Sequence, residues 1–140
     1  MKRERKGVSA VIIYEKNGFR EYLILKRKLN WRGWELLKGG LRPKEEYLKA
    51  LKREIKEEIG LKSGYNIIPT SYWNSFKYGK EYVKDGELYG SVRNKVFLVK
   101  LRSKKIKIDS KEHSGFRWVG KKDALKMLTW KDQKSIIKKF

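Results

Sequence analysis

Residues 39–61 read GGLRPKEEYLKALKREIKEEIGL, a glycine pair and a proline followed by a run dense in carboxylates. The run predicts a helix. Pro43 suits the first helical turn, where a missing N–H breaks no hydrogen bond, and Gly60 suits the left-handed position that closes a helix. Leu48, Leu51, Ile55 and Ile59 recur at three- and four-residue steps, a narrow apolar stripe for packing on a sheet. At about 100° per residue, Glu54, Glu57 and Glu58 share an arc just beside that stripe with Tyr47 and Ala50. Carboxylates so crowded repel one another unless a cation sits among them, and hard oxygen ligands of this kind suit Mg²⁺ or Mn²⁺. The same letters, KREIKEE, also describe a solvated helix face laced with ion pairs. The segment alone leaves both readings open.

The fixed positions across the whole stretch separate them. Gly39, Glu45, Arg53-Glu54-Ile55, Glu57-Glu58 and Gly60-Leu61 follow the pattern G-x5-E-x7-R-E-U-x-E-E-x-G-U, with U aliphatic, at every position. In this the sequence resembles the Nudix hydrolases, whose signature the pattern is. The resemblance implies an α/β (α+β) fold, an α/β/α sandwich around a mixed β-sheet. It implies a metal-dependent pyrophosphohydrolase that cleaves a nucleoside diphosphate linked to another group, with Mg²⁺ or Mn²⁺ as cofactor. By position in the signature, Glu57 and Glu58 are the principal metal ligands, and Glu54 is a further ligand or the base that orients water. Arg53 braces Glu54 by an ion pair, and Glu45 is outer-sphere or structural. The Lys38 backbone carbonyl matches a further metal ligand. Gly39 and Gly40 leave the backbone open to approach, and Lys38, Gly39 and Gly40 together are expected at the substrate.

A second resemblance bears on the substrate. Trp34-Glu35-Leu36-Leu37-Lys38-Gly39-Gly40 is similar to the W-x-x-P-K-G-H of asymmetrical diadenosine tetraphosphate hydrolases, with Leu37 in place of the proline and Gly40 in place of the histidine. Glu112-His113-Ser114-Gly115-Phe116-Arg117-Trp118-Val119 is similar to their E-H-x-x-[YF]-R-W-[LV] segment. On this similarity Glu112 reaches the metals from a loop, while His113, the sole histidine, is expected to be structural. The family stacks its base between aromatic rings, for which Tyr72, Phe76, Tyr78 and Tyr82 are the candidates. Strand alternation puts Tyr72, Asn74 and Phe76 on one face and Trp73 and Ser75 on the other. The leading expectation is hydrolysis of diadenosine tetraphosphate or a related nucleoside polyphosphate. An RNA 5′-end pyrophosphohydrolase or decapping enzyme is the alternative, and ADP-ribose hydrolysis a third. A catalytically inactive Nudix-fold module that binds nucleic acid belongs to a different class, and the intact Glu54, Glu57 and Glu58 argue against it.

The length of 140 residues suggests a single domain, 1–140, able to bury a core. No apolar run approaches the roughly 18 residues of a membrane span, and no signal-peptide pattern is present. A cytoplasmic protein without a membrane partner is therefore expected. The absence of cysteine rules out disulfides and thiolate metal sites. Lys plus Arg outnumber Asp plus Glu by 37 to 16, a net charge of +21 that attracts polyanions. Lys26, Arg27, Lys28 and Arg32, together with Lys131, Lys134, Lys138 and Lys139, are candidates for a basic track along which RNA could lie. The expected partners are a nucleotide substrate and RNA on the basic surface, the protein itself being a monomer or homodimer.

Outside the signature, strands are expected over Val8–Tyr14 and Tyr22–Leu25, joined by the Lys16-Asn17-Gly18 turn. A short strand follows over Trp34–Leu37, with Trp34 in the core and Trp31, on the preceding loop, a candidate substrate contact. Asn66–Phe76 reads as a strand that Pro69 marks as an edge or a bulge. Lys77–Asn94 reads as a polar, aromatic loop or ragged hairpin. Val96–Leu101 and Phe116–Val119 read as strands, Lys122–Leu128 and Lys131–Phe140 as helices.

Overall fold

Strand β1 (Arg3–Lys16) is the one around which the sheet assembles, and its sequence shows why. Val8, Ala10 and Ile12 point into one apolar cluster, and the alternate residues Val11 and Ile13 into a second on the opposite face. A strand buried on both faces must be apolar at nearly every position. The computed structural model of the protein describes residues 3–84 and 86–140, with the side chains of all but 79–81.

A tight turn through Asn17 and Gly18, both at positive φ, leads from β1 into β2 (Phe19–Arg27). The expected strand at Trp34–Leu37 is in fact two. Residues Gly33–Glu35 (β3) pair with β2, and Leu37–Gly40 (β4) crosses over to pair with β1. The chain changes partner at Leu36, whose buried N–H donates to Gln133 Oε1 at 2.8 Å instead of to a strand. Helix α1 (Tyr47–Ile59) follows, then β5 (Tyr65–Lys84), β6 (Glu87–Leu101), β7 (His113–Val119), α2 (Lys121–Met127) and α3 (Lys131–Lys139). Among the described residues seven strands form one mixed sheet with central order β3-β2-β1-β6-β5. β1 and β6 run parallel and the remaining pairs antiparallel. Helix α1 closes the first cluster through Ala50, Leu51, Ile55 and Ile59, whereas α2 and α3 close the second through Ala124, Leu128, Ile136 and Ile137. The sheet is covered on both faces, as an α/β/α sandwich requires. Among the described residues no helix is long and apolar enough to cross a membrane.

Two expectations are corrected. Pro43 does not open the helix, which starts at Tyr47. Residues 42–45 instead make a turn with Lys44 at φ 62°, closed by the Glu45 N–H on the Arg42 carbonyl (3.0 Å) and the Arg42 N–H on Glu45 Oε1 (3.0 Å). Leu48 is 45% exposed, and in the first turn Tyr47 takes the inward contact. Of the two readings of 77–94, loop or ragged hairpin, the hairpin holds. β5 and β6 continue as a hairpin to a turn at Gly86, with register slips at Pro69–Trp73 and Lys77–Tyr82. β5 is an edge strand, where Pro69 is tolerated.

Candidate active site

Glu54 and Glu58 follow Ala50 at four-residue steps, so they lie on the sheet-facing flank of α1, and both are buried. Glu57 points outward, its side chain 43% exposed. Against this flank runs β4. A Cβ added at Gly39 would collide with the Glu54 carboxyl group, so only glycine lets the strand pass so close. Gly40 is filled in the same way by the Arg5 guanidinium.

Arg53 fastens the helix to the end of β4 and to the turn that follows it. Its fork donates to Glu45 through Nε (2.9 Å) and Nη2 (2.8 Å), to Glu54 Oε1 through Nη1 (2.8 Å) and to the Gly40 carbonyl (2.9 Å). Hydrogen bonds from Arg53 hold the Glu45 carboxyl down to about 2, against the pull of desolvation, and the same partner raises the Arg53 pKa. A depressed folded pKa stabilises above the unfolded value and is lost as pH falls through the folded one. Glu45→Gln is therefore expected to lower the melting temperature at neutral pH. The gap to the native chain should narrow below the ordinary value of 4.5 and close near pH 2. A gap constant across a series of acid melts would contradict this.

The loop after β6 brings in the remaining groups. Lys107 N–H donates to the Ile59 carbonyl (3.0 Å) and Asp109 N–H to the Glu58 carbonyl (3.2 Å), tying the loop to the end of α1. The Glu112 carbonyl accepts from the N–H groups of Lys28 and Leu29. Glu112 and His113 are thereby set beside Glu58. His113, 3% exposed, has Nε2 2.8 Å from Glu35 Oε2 and Nδ1 3.1 Å from Glu58 Oε2. The second contact is not aligned as a hydrogen bond, and Glu58 Oε2 and His113 Nδ1 have no other partner among the described residues. Desolvation lowers the His113 pKa, but Glu35 and Glu58 outweigh it and lift it to about 9. Desolvation raises the pKa of Glu58, opposed by His113 and reinforced by Glu112. Glu54 is also raised by desolvation, with Arg53 opposing. These buried, half-partnered oxygens fit a divalent cation, which would supply the charge they lack. Ligand atoms of Glu58, Glu112 and His113 all lie within 4.8 Å of one another.

Glu35 was not foreseen. It is 1% exposed and accepts from His113, with Arg27 Nη1 at 3.2 Å and Lys38 Nζ at 3.9 Å. The available signal was a carboxylate between Trp34 and Leu36 in a strand, since a buried charge calls for partners. The Lys38 ammonium is lowered by desolvation, with Glu35 opposing, and lies 5.4 Å from the centre of the Phe76 ring.

Phe76, Tyr78 and Tyr82 form one row of rings, with Phe76 edge-on to Tyr78 at 5.8 Å and Tyr78 stacked on Tyr82 at 5.1 Å. Arg5, which fills the space over Gly40, donates to the Tyr82 hydroxyl and covers its ring, so the row abuts the glycine turn. Tyr72 is not part of it. Its ring packs on Phe140 and the second core cluster, away from α1. Trp73, on the opposite face, meets Tyr47 of α1 edge-on and lies under Arg93. Trp31 packs on Trp130 at 5.1 Å, joining the loop before β3 to the start of α3, and Trp34 packs against the second cluster. Of the basic candidates, Arg27 is taken up by Glu35 and Glu112, which removes it from any open track.

A family model described as NUDIX domain matches residues 3–140. An RNA pyrophosphohydrolase of Nitratiruptor sp. is 33% identical over 135 residues, 92% of this chain and 86% of that protein. The asymmetrical bis(5'-nucleosyl)-tetraphosphatase of Sus scrofa is 26% identical over 117 residues, 84% of this chain and 76% of the other. Among solved structures, a binary complex of the C. elegans Ap4A hydrolase superposes with a TM-score of 0.75 at 25% identity, covering 97% of this chain and 94% of that one. Signature, sheet and carboxylate cradle agree with these matches, and the chain belongs to the Nudix family.

Proposed function

We propose that this Nudix pyrophosphohydrolase cleaves a phosphoanhydride bond of a nucleoside polyphosphate, diadenosine tetraphosphate or a related molecule, at the cradle between α1 and the Gly39-Gly40 turn. The observation that carries it is the cluster of Glu58, Glu112 and His113, with Glu54 and Glu57 on the same helix, beside a glycine backbone with a row of aromatic rings at its edge. Divalent cations, when bound, neutralise phosphate oxygens and acidify the attacking water. Glu57, Glu58, Glu112 and the Lys38 carbonyl would hold them. Arg53 fixes Oε1 of Glu54 and so orients the other oxygen toward a ligand role or toward the proton of the attacking water. Arg53 and Glu45 act as positioning residues, keeping α1 on the turn. The Lys38 ammonium supplies positive charge beside the glycines, and Phe76, Tyr78 and Tyr82 offer faces for a base.

The test is product analysis in heavy-oxygen water. Diadenosine tetraphosphate should give ATP and AMP, with one labelled oxygen in one of the two products. Two molecules of ADP, or no cleavage, would overturn diadenosine tetraphosphate as a substrate cut asymmetrically. Tyr78→Leu is expected to weaken nucleotide binding by about 1–3 kcal/mol, as loss of a base-stacking ring does elsewhere. Binding of inorganic tripolyphosphate, which has no base, should not change. Equal losses for both ligands in a titration would make Tyr78 structural.

RNA with a 5′-triphosphate is the second reading. The charge of +21 favours it, as do relatives named RNA pyrophosphohydrolase. The Trp31–Trp130 contact joins the loop bearing Lys28 and Arg32 to α3 with Lys131, Lys134, Lys138 and Lys139. RNA lying there would release counterions, adding about 0.7 per phosphate contact to the slope of log affinity against log salt. The double variant Lys134→Glu, Lys138→Glu should flatten that slope and leave dinucleotide hydrolysis intact. A short RNA binding no better than the dinucleotide, with no response to the charge reversal, would return the choice to the small nucleotide.

A further inference from the structure

We propose that His113 is itself a ligand for a divalent cation, adding one nitrogen to the oxygens of Glu58 and Glu112, with Glu35 as the carboxylate behind it. The inference rests on the reading of the cradle as a metal-dependent site and goes beyond the all-oxygen ligand set of the signature. The two ring nitrogens have different tasks. Nε2 lies 2.8 Å from Glu35 Oε2, and a carboxylate needs a donor there, so Nε2 carries a proton. Nδ1 lies 3.1 Å from Glu58 Oε2, an ion pair while the ring carries its second proton. That contact is not aligned as a hydrogen bond, and neither atom has another hydrogen-bond partner among the described residues.

A cation ligated by both atoms can take the place of that second proton. Two ligand atoms each about 2.1 Å from one ion and at a right angle stand about 3.0 Å apart. The observed Nδ1–Oε2 separation of 3.1 Å matches such an edge. Glu112 offers the third atom, and its side chain, 32% exposed, leaves that side open to solvent. Glu35 completes the carboxylate–histidine–metal arrangement that fixes a ligating ring. It is held in turn by Arg27 at 3.2 Å and Lys38 at 3.9 Å. Before loading, a proton occupies Nδ1 and bridges toward Glu58. The ion displaces it to solvent. One imidazole among carboxylates also moves the preference from Mg²⁺ toward Mn²⁺, Co²⁺ or Zn²⁺.

The sequence makes the test unambiguous, because His113 is the only histidine. Untagged protein is prepared with ordinary and with heavy-nitrogen histidine, loaded with Mn²⁺, and its nitrogen hyperfine couplings are read by pulsed electron paramagnetic resonance. A coupling of the size of a direct ligand that changes with the isotope is the expected result. Separately, His113→Gln should weaken Co²⁺ binding at least about tenfold while changing Mg²⁺ binding less. Mn²⁺ bound in a Glu58-dependent manner without any histidine coupling overturns the ligand role and leaves the proposed hydrolase standing. Failure to bind Mn²⁺ at all overturns both. The isotope experiment uses the native chain, so a variant that does not fold cannot decide the matter.

Discussion

Glu57→Gln is expected to lower turnover at least about a hundredfold, comparable to removal of a strong electrostatic stabiliser, and to leave the fold intact. The two halves of this expectation have separate grounds. Glu57 is the solvent-facing carboxylate of the cradle, 43% exposed, and its contacts to Arg42 and Arg53 are long, both 3.4 Å. Exposed pairs of this kind contribute little stability, about 0–1 kcal/mol. Its charge also helps to raise the Glu54 pKa, so the amide relieves repulsion when no cation is bound. In catalysis the same carboxylate is proposed to hold a cation against the substrate phosphates, and an amide cannot supply that charge. Turnover at saturating metal and the melting temperature, measured on the same preparation, check both halves. Near-normal turnover would remove Glu57 from the proposed ligand set.

Arg53→Ala should be damaging in a different way, with a loss of about 3 kcal/mol of stability, as when one partner of a buried ion pair is removed. Turnover should also fall about a hundredfold, the usual effect of misplacing a reacting group by an ångström. The guanidinium joins Glu45, Glu54 and the Gly40 carbonyl, and it is the part of α1 that grips the turn. Without it Glu54 is a buried carboxylate lacking its cation, beside a strand with no room for it to move at Gly39. Arg53→Lys restores the charge but not the planar fork that binds Glu45 at both oxygens, so it should fall between the two. Urea unfolding and turnover of the three proteins provide the comparison. Equal stability for Arg53→Ala and the native chain would contradict the bracing role.

What could be read from the sequence was what depends on local spacing. The near-continuous apolar run VSAVII marks β1 as a buried strand, and the signature fixes α1 and the carboxylates on its flank. What could not be read depends on partners far along the chain. Glu35 and His113 meet across 78 residues, and neither segment announces the other. Arg27 looks like one basic residue among several until Glu35 and Glu112 are seen beside it. Tyr72 shares a face with Phe76, but its ring is taken by Phe140 at the far end of the chain. The run 77–94 reads as a loop or a ragged hairpin because local propensity is weak there, and pairing between β5 and β6 decides for the hairpin.

The central claim is that the α1 cradle hydrolyses a nucleotide phosphoanhydride by means of bound divalent cations. It is tested most directly by incubating the native chain and Glu57→Gln with diadenosine tetraphosphate and with 5′-triphosphorylated RNA, each with Mg²⁺ or Mn²⁺ and with a chelator, and resolving the products. The account predicts phosphoanhydride cleavage of at least one of the two by the native chain, abolished by the chelator and reduced at least about a hundredfold by the substitution. Cleavage of neither, or cleavage that survives both the chelator and the loss of Glu57, would contradict it.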